Sequence, residues 1–505
     1  MSSKILSAAV IGLDAELVEV EADTGGGELG SFAIVGLPDA AVSESKERVK
    51  SAIKNSKLFF PKLKVTINLA PADLKKHGPS YDLPIAVSIL LIAESFKPDC
   101  DFNKMLFAGE LALSGEVRPI NGVLPIAIKA KKQGIQTLYV PRENAKEAKL
   151  VKELNVIPVD NLRQLIDHLQ GIKLIEPIAY SKFDFSNTEI LSDMSHIKGQ
   201  EHVKRAVEIS AAGAHNLLML GPPGAGKTLI ARSIPSILPD LTLEEALEIT
   251  KIYSVAGTLK TSAALITSRP FRAPHHTASG VALVGGGTWP RPGEISLAHR
   301  GVLFLDEFGE FPRQVMENLR QPLEDGIINV SRAAGSLTFP AKFVLIAAMN
   351  PCPCGYYGDK EKQCVCSSVQ ILNYRKKISG PIIDRIDMHI EVPRVKFDKL
   401  SSDHSSEDSK TIKQRIQKAR QIQKQRFQKS PYITNSEMSS HAVKQFCPVD
   451  ETSKQLLRNA VDQMHLSARA YFRILKLART IADLAEEEKI LTTHIAEALQ
   501  YRPKV

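Results

Sequence analysis

Residues 217–234 read LLMLGPPGAGKTLIARSI, and this stretch decides the fold of the middle of the chain. A strand-like apolar segment runs into the pattern GxxxxGK[ST], and a helix-like segment follows, which is the context that a phosphate-binding loop requires. Its glycines let the backbone wrap around phosphates, whose charge meets the N–H groups of a helix N-terminus. The predicted nucleotide-binding residues are Gly221, Pro222, Pro223, Gly224, Ala225, Gly226, Lys227 and Thr228. We therefore expect an ATP-binding domain in which Lys227 contacts the β and γ phosphates and Thr228 binds Mg²⁺.

Two later apolar segments end in polar residues that suit phosphate hydrolysis. Residues 302–305 (VLFL) run into Asp306 and Glu307, and residues 343–349 (FVLIAAM) run into Asn350. Parallel α/β sheets bind ligands at the carboxyl ends of their strands, so these side chains are expected beside the P-loop. We predict that Asp306 holds Mg²⁺, directly or through water, and that Glu307 is the general base for the attacking water. Asn350 is predicted to hydrogen-bond the γ-phosphate or that water.

Two arginines further along the chain are candidates for stabilising charge in the transition state. Arg385 lies in the string IIDRID and is predicted to serve the nucleotide of a neighbouring subunit, with a salt bridge to Asp384 or Asp387 as the alternative. Arg469 opens a long amphipathic segment and is predicted to bend over the nucleotide of its own chain. Arg473 competes for that role, and an ordinary surface arginine is the remaining alternative. An arginine that acts between subunits requires an oligomer.

Four cysteines lie close together after Asn350. Cys352, Cys354, Cys364 and Cys366 form the pattern CxC-x₉-CxC. Four thiolates suit tetrahedral Zn²⁺ in a small knuckle, although CxxC is the more usual spacing. We predict a structural zinc site, with a metal-free cluster of reduced thiols and Fe–S ligation as the alternatives.

Composition narrows the class of protein. The chain has 505 residues, 65 Lys and Arg against 56 Asp and Glu, a net charge of +9 and 43% hydrophobic residues, which excludes disorder as a description of the whole. The longest apolar run, residues 83–93, is far shorter than the ~20 residues that cross a bilayer. Acidic residues follow the N-terminal apolar stretch, where a secretory signal would need a cleavage site. We predict a cytoplasmic protein with no membrane partner.

The predicted fold class is α/β, in several domains. Residues 1–170 alternate strand-like and helix-like segments, and the polar stretch 171–195 is predicted to be a linker. Residues 196–395 carry the nucleotide motifs, and residues 396–505 are predicted to form a helical lid. Residues 411–428 are rich in Lys and Arg, which favours a solvated lever between domains, with DNA contact as the alternative.

Further strings make the resemblance more specific than the P-loop does. They are RPFRAPHH (269–276), VGGG (284–287), PGEISLAH (292–299) and SGP (379–381). With these strings the whole chain resembles the magnesium-chelatase-like group of AAA+ ATPases, and within it the ComM/YifB family. The resemblance implies that Asn350 is sensor 1, Arg385 the arginine finger that acts between subunits, and Arg469 sensor 2.

The resemblance also implies partners. Members of this family are understood to form hexameric rings that drive branch migration of DNA during recombination in natural transformation. Residues 269–291 would be the helix-2 insert and residues 327–340 the presensor-1 hairpin, both of which project into the pore of related rings. Cationic side chains in the insert and the hairpin could contact the phosphate backbone of DNA. The candidate DNA-contact residues are Arg272, His275, His276 and Arg332. For the two histidines, a packed, hydrogen-bonded loop is an equal alternative. The expected DNA partners are single-stranded, double-stranded and branched.

The first domain resembles the proteolytic domain of Lon. The matching strings are GPS (78–80), GEL (109–111) and GEVRPING (115–122), and Ser80 falls on the nucleophile of that family. The general-base lysine of Lon corresponds to Leu124, which cannot take a proton, and Lys129 is expected to face elsewhere. We therefore predict a proteolytically inactive domain that scaffolds the ring or contacts DNA.

Three functions compete at this point. The leading one is a hexameric, ATP-driven DNA translocase or branch-migration helicase. The second is a chelatase-type ring that uses ATP to reshape a protein partner, but the chelatase motor is understood to lack the Lon-like domain. The third, an ATP-dependent protease, is disfavoured by Leu124.

Overall fold

The computed structural model describes residues 2–25, 31–94, 96, 101–181, 183, 185, 192–260, 264–287, 289–332, 335–359, 361–395 and 407–503. Parts of the predicted linker and lid therefore lie outside the described residues. The chain divides into unit 1, Met1–Phe183 with Ala246–Ile266, and unit 2, Asp184–Glu245 with Thr267–Val505. Among the described residues no helix combines the length and the apolar character needed to span a bilayer.

Unit 1 is built on a seven-stranded mixed sheet of order β3-β4-β2-β1-β5-β8-β9. The long hairpin β1–β2 is antiparallel, and β5, β8 and β9 continue the sheet in parallel. A separate two-stranded ribbon, β6–β7, carries the GEL string. The strands are β1 Ser2–Ile11, β2 Asp14–Gly25, β3 Phe32–Val35, β4 Lys64–Ala70, β5 Met105–Phe107, β6 Glu110–Leu111, β7 Val117–Arg118, β8 Thr137–Pro141 and β9 Asn155–Val159.

Five helices cover this sheet, and capping side chains define where two of them begin. Asp39 accepts the Val42 N–H at 2.8 Å and Asn161 accepts the Gln164 N–H at 2.9 Å, which satisfies N–H groups that have no partner inside the helix. The second helix is apolar on all sides and almost wholly buried. The helices are α1 Ala40–Asn55, α2 Asp82–Ile92, α3 Val123–Lys132, α4 Arg142–Ala148 and α5 Leu162–Leu169.

Unit 2 contains a five-stranded, entirely parallel sheet of order β11-β12-β15-β10-β16. The middle strands of this sheet are continuously apolar in sequence, because side chains on both faces of the sheet are buried. Residues 327–332 and 335–340 form a separate antiparallel pair of strands, β13 and β14, hereafter the hairpin. The strands are β10 Leu217–Leu220, β11 Phe271–Arg272, β12 Val302–Leu305, β13 Ile327–Arg332, β14 Gly335–Pro340, β15 Val344–Met349 and β16 Met388–Glu391.

The remaining described α-helices include short ones in the insert and longer ones toward the C-terminus. They are α6 Glu201–Gly213, α7 Lys227–Ser233, α8 Leu243–Ala256, α9 Gly280–Val284, α10 Glu294–Leu297, α11 Arg313–Glu317, α12 Arg320–Asp325, α13 Ser368–Lys376, α14 Gly380–Ile383, α15 Ser409–Arg426, α16 Ser440–Phe446, α17 Glu451–Gln463, α18 Ala468–Leu484 and α19 Thr492–Gln500. Of these, α8 belongs to unit 1 from Ala246 onward.

The basic helix α15 is amphipathic, and four of its cations pair with carboxylates. One face buries Ile412, Ile416 and Ala419 in the core of unit 2. On the other side, Lys413 Nζ lies 2.6 Å from Asp240 Oδ1 and Lys418 Nζ 2.7 Å from Glu486 Oε1, while Arg415 pairs with two glutamates. Much of the positive charge that suggested DNA contact is therefore neutralised within the unit.

A buried carboxylate holds the segment Ala246–Ile266 within unit 1. Glu147 Oε1 accepts hydrogen bonds from the Leu124 N–H at 2.9 Å and from the Ser254 hydroxyl, and Asn144 Nδ2 donates to Oε2 at 3.3 Å. Burial raises the pKa of the Glu147 carboxyl, because desolvation disfavours the charged form. Residues 246–266, predicted as part of the nucleotide domain, thus group with the preceding domain.

Candidate nucleotide-hydrolysis site

The P-loop connects β10 to α7 at the carboxyl edge of the parallel sheet. Gly226 caps α7 with φ of +86°, a left-handed conformation that favours glycine. β10 and β15 are parallel neighbours, with Leu220 opposite Met349, and the Gly221 N–H donates to the Met349 carbonyl at 3.2 Å. The residues that follow these two strands therefore meet.

Lys227 and Asn350 are in direct contact. Lys227 Nζ donates to Asn350 Oδ1 at 3.1 Å and to the carbonyl oxygens of Gly221 at 2.6 Å and Pro222 at 3.0 Å. Burial lowers the pKa of the ammonium group, because the charged form loses solvation. The predicted phosphate-binding cation and the predicted sensor amide thus share one side of the loop.

The two residues predicted to hold Mg²⁺ also meet. Thr228 Oγ1 donates to Asp306 Oδ2 at 2.7 Å, and the Glu307 N–H donates to Asp306 Oδ1 at 2.9 Å. A hydroxyl and a carboxylate oxygen are the hard donors that Mg²⁺ prefers, so this pair fits the ion. Asp306 follows β12, which lies next to β15 in the sheet.

Glu307 has a partner that the sequence analysis missed. His276 Nδ1 lies 2.9 Å from Glu307 Oε2, and the Glu307 backbone is left-handed, with φ of +51°. His276 belongs to the loop after β11, the strand parallel to β12, so the loops at the ends of these two strands meet. The one sequence feature that could have indicated this contact is that His276 follows a strand that lies beside β12.

Arg385 and Arg469 converge on one carboxylate, that of Glu324 on α12. Arg385 Nη2 pairs with Oε2, and Arg469 Nη2 lies 3.2 Å from Oε1. Hydrogen bonding from Arg385 is the main reason that the pKa of Glu324 is lowered. The partners considered for Arg385 in the sequence interact instead with Arg473, which lies 3.6 Å from Asp387 Oδ1. No sequence signal singled out Glu324.

The four cysteines form one cluster. Cys352 Sγ lies 3.4 Å from Cys354 Sγ and 3.7 Å from Cys364 Sγ, and all four sulfurs lie within 4.8 Å of one another. With Zn–S bonds of about 2.3 Å, the sulfurs of a tetrahedral site are separated by about 3.8 Å, so the cluster fits zinc. A backbone hydrogen bond from Tyr356 is the largest of the effects that lower the pKa of the Cys354 thiol to about 6.

The cysteine knuckle, residues 352–366, packs against the P-loop. Gly355 has φ of +84°, and a Cβ there would lie 2.5 Å from Pro223 Cδ and 3.8 Å from Asn350 Cγ. The close approach of Gly355 leaves no room for a side chain. The knuckle therefore contacts two elements of the nucleotide site.

The predicted DNA-contact residues lie in the insert and in the hairpin. Arg272 makes two hydrogen bonds of 2.6 Å to Glu294, and Arg332 Nη2 donates to the Gly285 carbonyl at 3.1 Å. The His275 and His276 rings are 4.2 Å apart, and His275 Nδ1 lies 2.8 Å from Thr277 Oγ1. Arg332 therefore joins the hairpin to the insert, and the two neighbouring histidine rings lie against each other.

In unit 1 the residues of the Lon comparison do not form a serine–lysine pair. Leu124 is fully buried, and Lys129 Nζ lies 2.7 Å from Glu16 Oε2. The Ser80 carbonyl accepts the Gly109 N–H at 2.9 Å. Leu124 and Lys129 both lie on α3, and Lys129 is engaged by Glu16, whereas a catalytic lysine would have to be free to take a proton.

Three family models match nearly the whole chain. Residues 18–144 match the model described as "Subunit ChlI of Mg-chelatase", residues 193–400 match "Magnesium chelatase, subunit ChlI", and residues 406–502 match "Magnesium chelatase, subunit ChlI C-terminal".

Two curated relatives match over nearly their full length, and a third matches over a part. "Competence protein ComM" of Haemophilus influenzae is 43% identical over 507 residues, which cover 99% of this chain and 97% of the relative. "Uncharacterized protein YifB" of Escherichia coli is 41% identical over 495 residues, 98% of this chain and 96% of the relative. "Lon protease" of Methanosarcina barkeri is 26% identical over 187 residues, 35% of this chain and 23% of that protein.

Proposed function

Because this chain belongs to the ComM/YifB family of magnesium-chelatase-like AAA+ ATPases, we propose that it is an ATP-driven DNA motor that promotes branch migration during homologous recombination. The competence name of the relative from Haemophilus influenzae supports a role in natural transformation. The proposed motor works in the cytoplasm as a homo-hexameric ring on single-stranded, double-stranded and branched DNA. We propose with it the three domains predicted from the sequence: an inactive Lon-like domain, an AAA+ core and a helical lid.

The observation that carries the ATPase proposal is the meeting of four side chains at one sheet edge: Lys227, Thr228, Asp306 and Asn350. In the proposed reaction, Lys227 neutralises the β and γ phosphates and Asn350 orients the attacking water. Glu307 accepts a proton from that water as its oxygen bonds to the γ-phosphorus, and the bond to the ADP oxygen breaks. Thr228 and Asp306 would hold Mg²⁺, which would supply positive charge to the phosphate oxygens when bound.

The two arginines Arg385 and Arg469 support the proposed ring, because an arginine that acts on a neighbouring subunit requires an oligomer. Arg385 and Arg469 both contact Glu324, and their proximity supports a joint role toward the nucleotide of a neighbouring subunit. Among the DNA-contact candidates, His275 and Arg332 remain the stronger ones. Arg272 is the weaker one, since a phosphate would have to replace Glu294. His276 is engaged with Glu307.

We also propose that the cysteine knuckle binds one Zn²⁺ through Cys352, Cys354, Cys364 and Cys366. The sulfur separations support this proposal, and backbone N–H groups donate to two of the sulfurs, as around metal-bound thiolates. The metal would be structural, since the four cysteines leave no open coordination position.

A second candidate is a chelatase-type motor that reshapes a protein partner. The observation that favours it is the match of residues 193–400 to the chelatase subunit model. DNA-stimulated ATP hydrolysis separates the two candidates, since a remodeller of proteins gains nothing from DNA.

The deciding experiment is strand exchange on a synthetic four-way DNA junction with ATP. We expect the wild type to move the branch point, and Glu307→Gln and Lys227→Ala to bind DNA without moving it, with hydrolysis reduced by at least about a hundredfold. If the wild type hydrolyses ATP at the same rate with and without DNA and no junction moves, the DNA-motor proposal is wrong.

A further inference from the structure

Unit 1 carries a lysine-rich surface that neither the hydrolysis site nor the DNA-contact candidates include. Between Arg48 and Ala72 the chain has six basic residues and no acidic one, although the whole chain has a net charge of only +9. Arg48 is engaged inside the unit, where its Nε lies 2.8 Å from Oδ2 of the buried Asp82. The other five, with Phe59, are called the lysine–phenylalanine surface: Lys50, Lys54, Lys57, Lys62 and Lys64.

These lysines come from two elements that meet. Lys50 and Lys54 are four residues apart on α1, so their side chains lie on the same side of the helix, and Lys57 follows in the turn after it. Lys62 lies in the loop before β4, and Lys64 is the first residue of that strand. Lys50 Nζ lies 5.8 Å from the centroid of the Phe60 ring in the same loop. The charges of the helix and the loop therefore belong to one surface.

The positive charge of this surface is not balanced by carboxylates. Among the residues that the structure describes, Lys54, Lys57, Lys62 and Lys64 have no carboxylate within ion-pair distance. On α15, by contrast, four cations pair with carboxylates. A group of uncompensated lysines creates a positive potential that attracts a polyanion.

The loop between α1 and β4 presents an aromatic ring among these lysines. The Phe59 side chain is 56% exposed. The loop is fixed at its start and its middle, because the Leu58 N–H donates to the Ile53 carbonyl at 3.1 Å and Pro61 is buried. Surfaces that bind single-stranded nucleic acids combine cations along the phosphates with aromatic rings on which bases stack. In a duplex the bases are stacked on one another, so an exposed ring finds no free base there.

We propose that the lysine–phenylalanine surface of unit 1 binds single-stranded DNA, with its lysines on phosphates and Phe59 stacked on a base. The inference deepens the proposed function and rests on it, because it takes DNA as the partner. It gives the Lon-like domain a task that needs no catalytic serine. Lysines also attract anionic membranes, but a membrane surface requires a broader apolar face than Phe59 and its exposed neighbour Leu63 provide.

The test measures the Kd of the full-length protein for a labelled oligo-dT of about 30 nucleotides, by fluorescence anisotropy at several salt concentrations. For Phe59→Ala we expect the Kd to rise at least about fivefold and the salt dependence to stay unchanged, because stacking is lost and no charge is. Phe59→Tyr keeps an aromatic ring and should bind as the wild type does.

A variant that combines Lys54→Gln, Lys57→Gln and Lys62→Gln tests the charges. We expect its slope of log Kd against log salt to be smaller by about 2, because each phosphate contact on a single strand contributes about 0.7. The matched control combines Lys132→Gln, Lys146→Gln and Lys173→Gln, which removes the same charge from exposed lysines elsewhere in unit 1 and should keep the slope of the wild type. The melting temperature of each variant checks that unit 1 still folds.

The inference is overturned if Phe59→Ala and the first lysine variant bind oligo-dT as tightly as the wild type does. It is also overturned if these substitutions weaken binding to poly-glutamate or to phosphatidylglycerol vesicles but not to oligo-dT. If the wild type then still moves the four-way junction, the proposed motor stands without this surface. If the wild type moves no junction and DNA does not stimulate its ATP hydrolysis, the proposed function fails, whereas a raised Kd of Phe59→Ala for oligo-dT would still support the surface.

Discussion

His389 lies on β16 with its side chain buried among charged groups. Burial lowers its pKa to about 4, and the positive charge of Arg502 acts in the same direction, while Asp387 opposes it. The folded protein therefore keeps the imidazole neutral under conditions in which an unfolded chain, with a pKa of about 6.5, would protonate it. Acid favours the unfolded state as the pH falls from 6.5 toward 4.

We expect unit 2 to lose about 2 kcal/mol of unfolding free energy between pH 7.5 and pH 5 through this histidine alone. The chain has one tryptophan, Trp289, which lies in unit 2, so its fluorescence in a denaturant titration reports on that unit. His389→Gln should be less stable at pH 7.5 but should lose about 2 kcal/mol less on acidification. His441→Gln, at an exposed histidine, is the control and should keep the pH dependence of the wild type. An unchanged dependence in His389→Gln would refute the assignment.

The nucleotide-site residues at the ends of β10, β12 and β15 could be predicted from the sequence because each follows a short apolar run. The order of these motifs along the chain indicated that the residues belong to one site. The side chains that contact these residues could not be predicted from the sequence. His276 and Glu324 are far in sequence from the groups they bind, and nothing local distinguishes them from surface residues. Pairing across a fold depends on which strands become neighbours, which one sequence does not reveal.

Among the elements, the cysteine knuckle lies between Asn350 and α13 and touches the P-loop. Because Gly355 packs on Pro223, a change in the knuckle is transmitted directly to the loop that wraps the phosphates. The sequence showed that the four cysteines follow Asn350, but it could not show this contact with the P-loop. The mixed α/β class was predicted and is confirmed, while the grouping of residues 246–266 with unit 1 depends on the buried Glu147 and could not have been anticipated.

Loss of the knuckle metal should weaken ATP binding. We expect about one zinc per chain by elemental analysis, and Cys364→Ser to lose the metal and raise the KM for ATP at least about threefold, because the folding energy of the knuckle comes largely from the metal. Cys447→Ser removes a buried cysteine outside the cluster and should change neither quantity. Purified protein with visible Fe–S absorbance, or with no metal and full activity, would contradict the prediction.

At the scale of the whole molecule, the shared carboxylate of Glu324 bears on which subunit each arginine serves. The resemblance implied that Arg385 acts on a neighbour and Arg469 on its own nucleotide. Both guanidinium groups contact one carboxylate, so they lie within a few ångströms of each other. In a ring with one repeated interface, two arginines so placed are expected to reach the same nucleotide, that of the neighbouring subunit.

Mixing of inactive variants tests this arrangement. Arg385→Ala and Lys227→Ala rings should each be inactive, but a mixture places an intact P-loop beside an intact Arg385 at some interfaces and should recover about a quarter of wild-type hydrolysis if subunits assemble at random. We expect the same recovery for Arg469→Ala mixed with Lys227→Ala. An arginine that served its own chain could not be supplied by a neighbour, so absence of recovery in the second mixture alone would assign Arg469 to its own nucleotide. Arg469→Ala mixed with Arg385→Ala is the control: every intact Arg469 then lies on a chain that lacks Arg385, so no interface receives both arginines and the mixture should stay inactive.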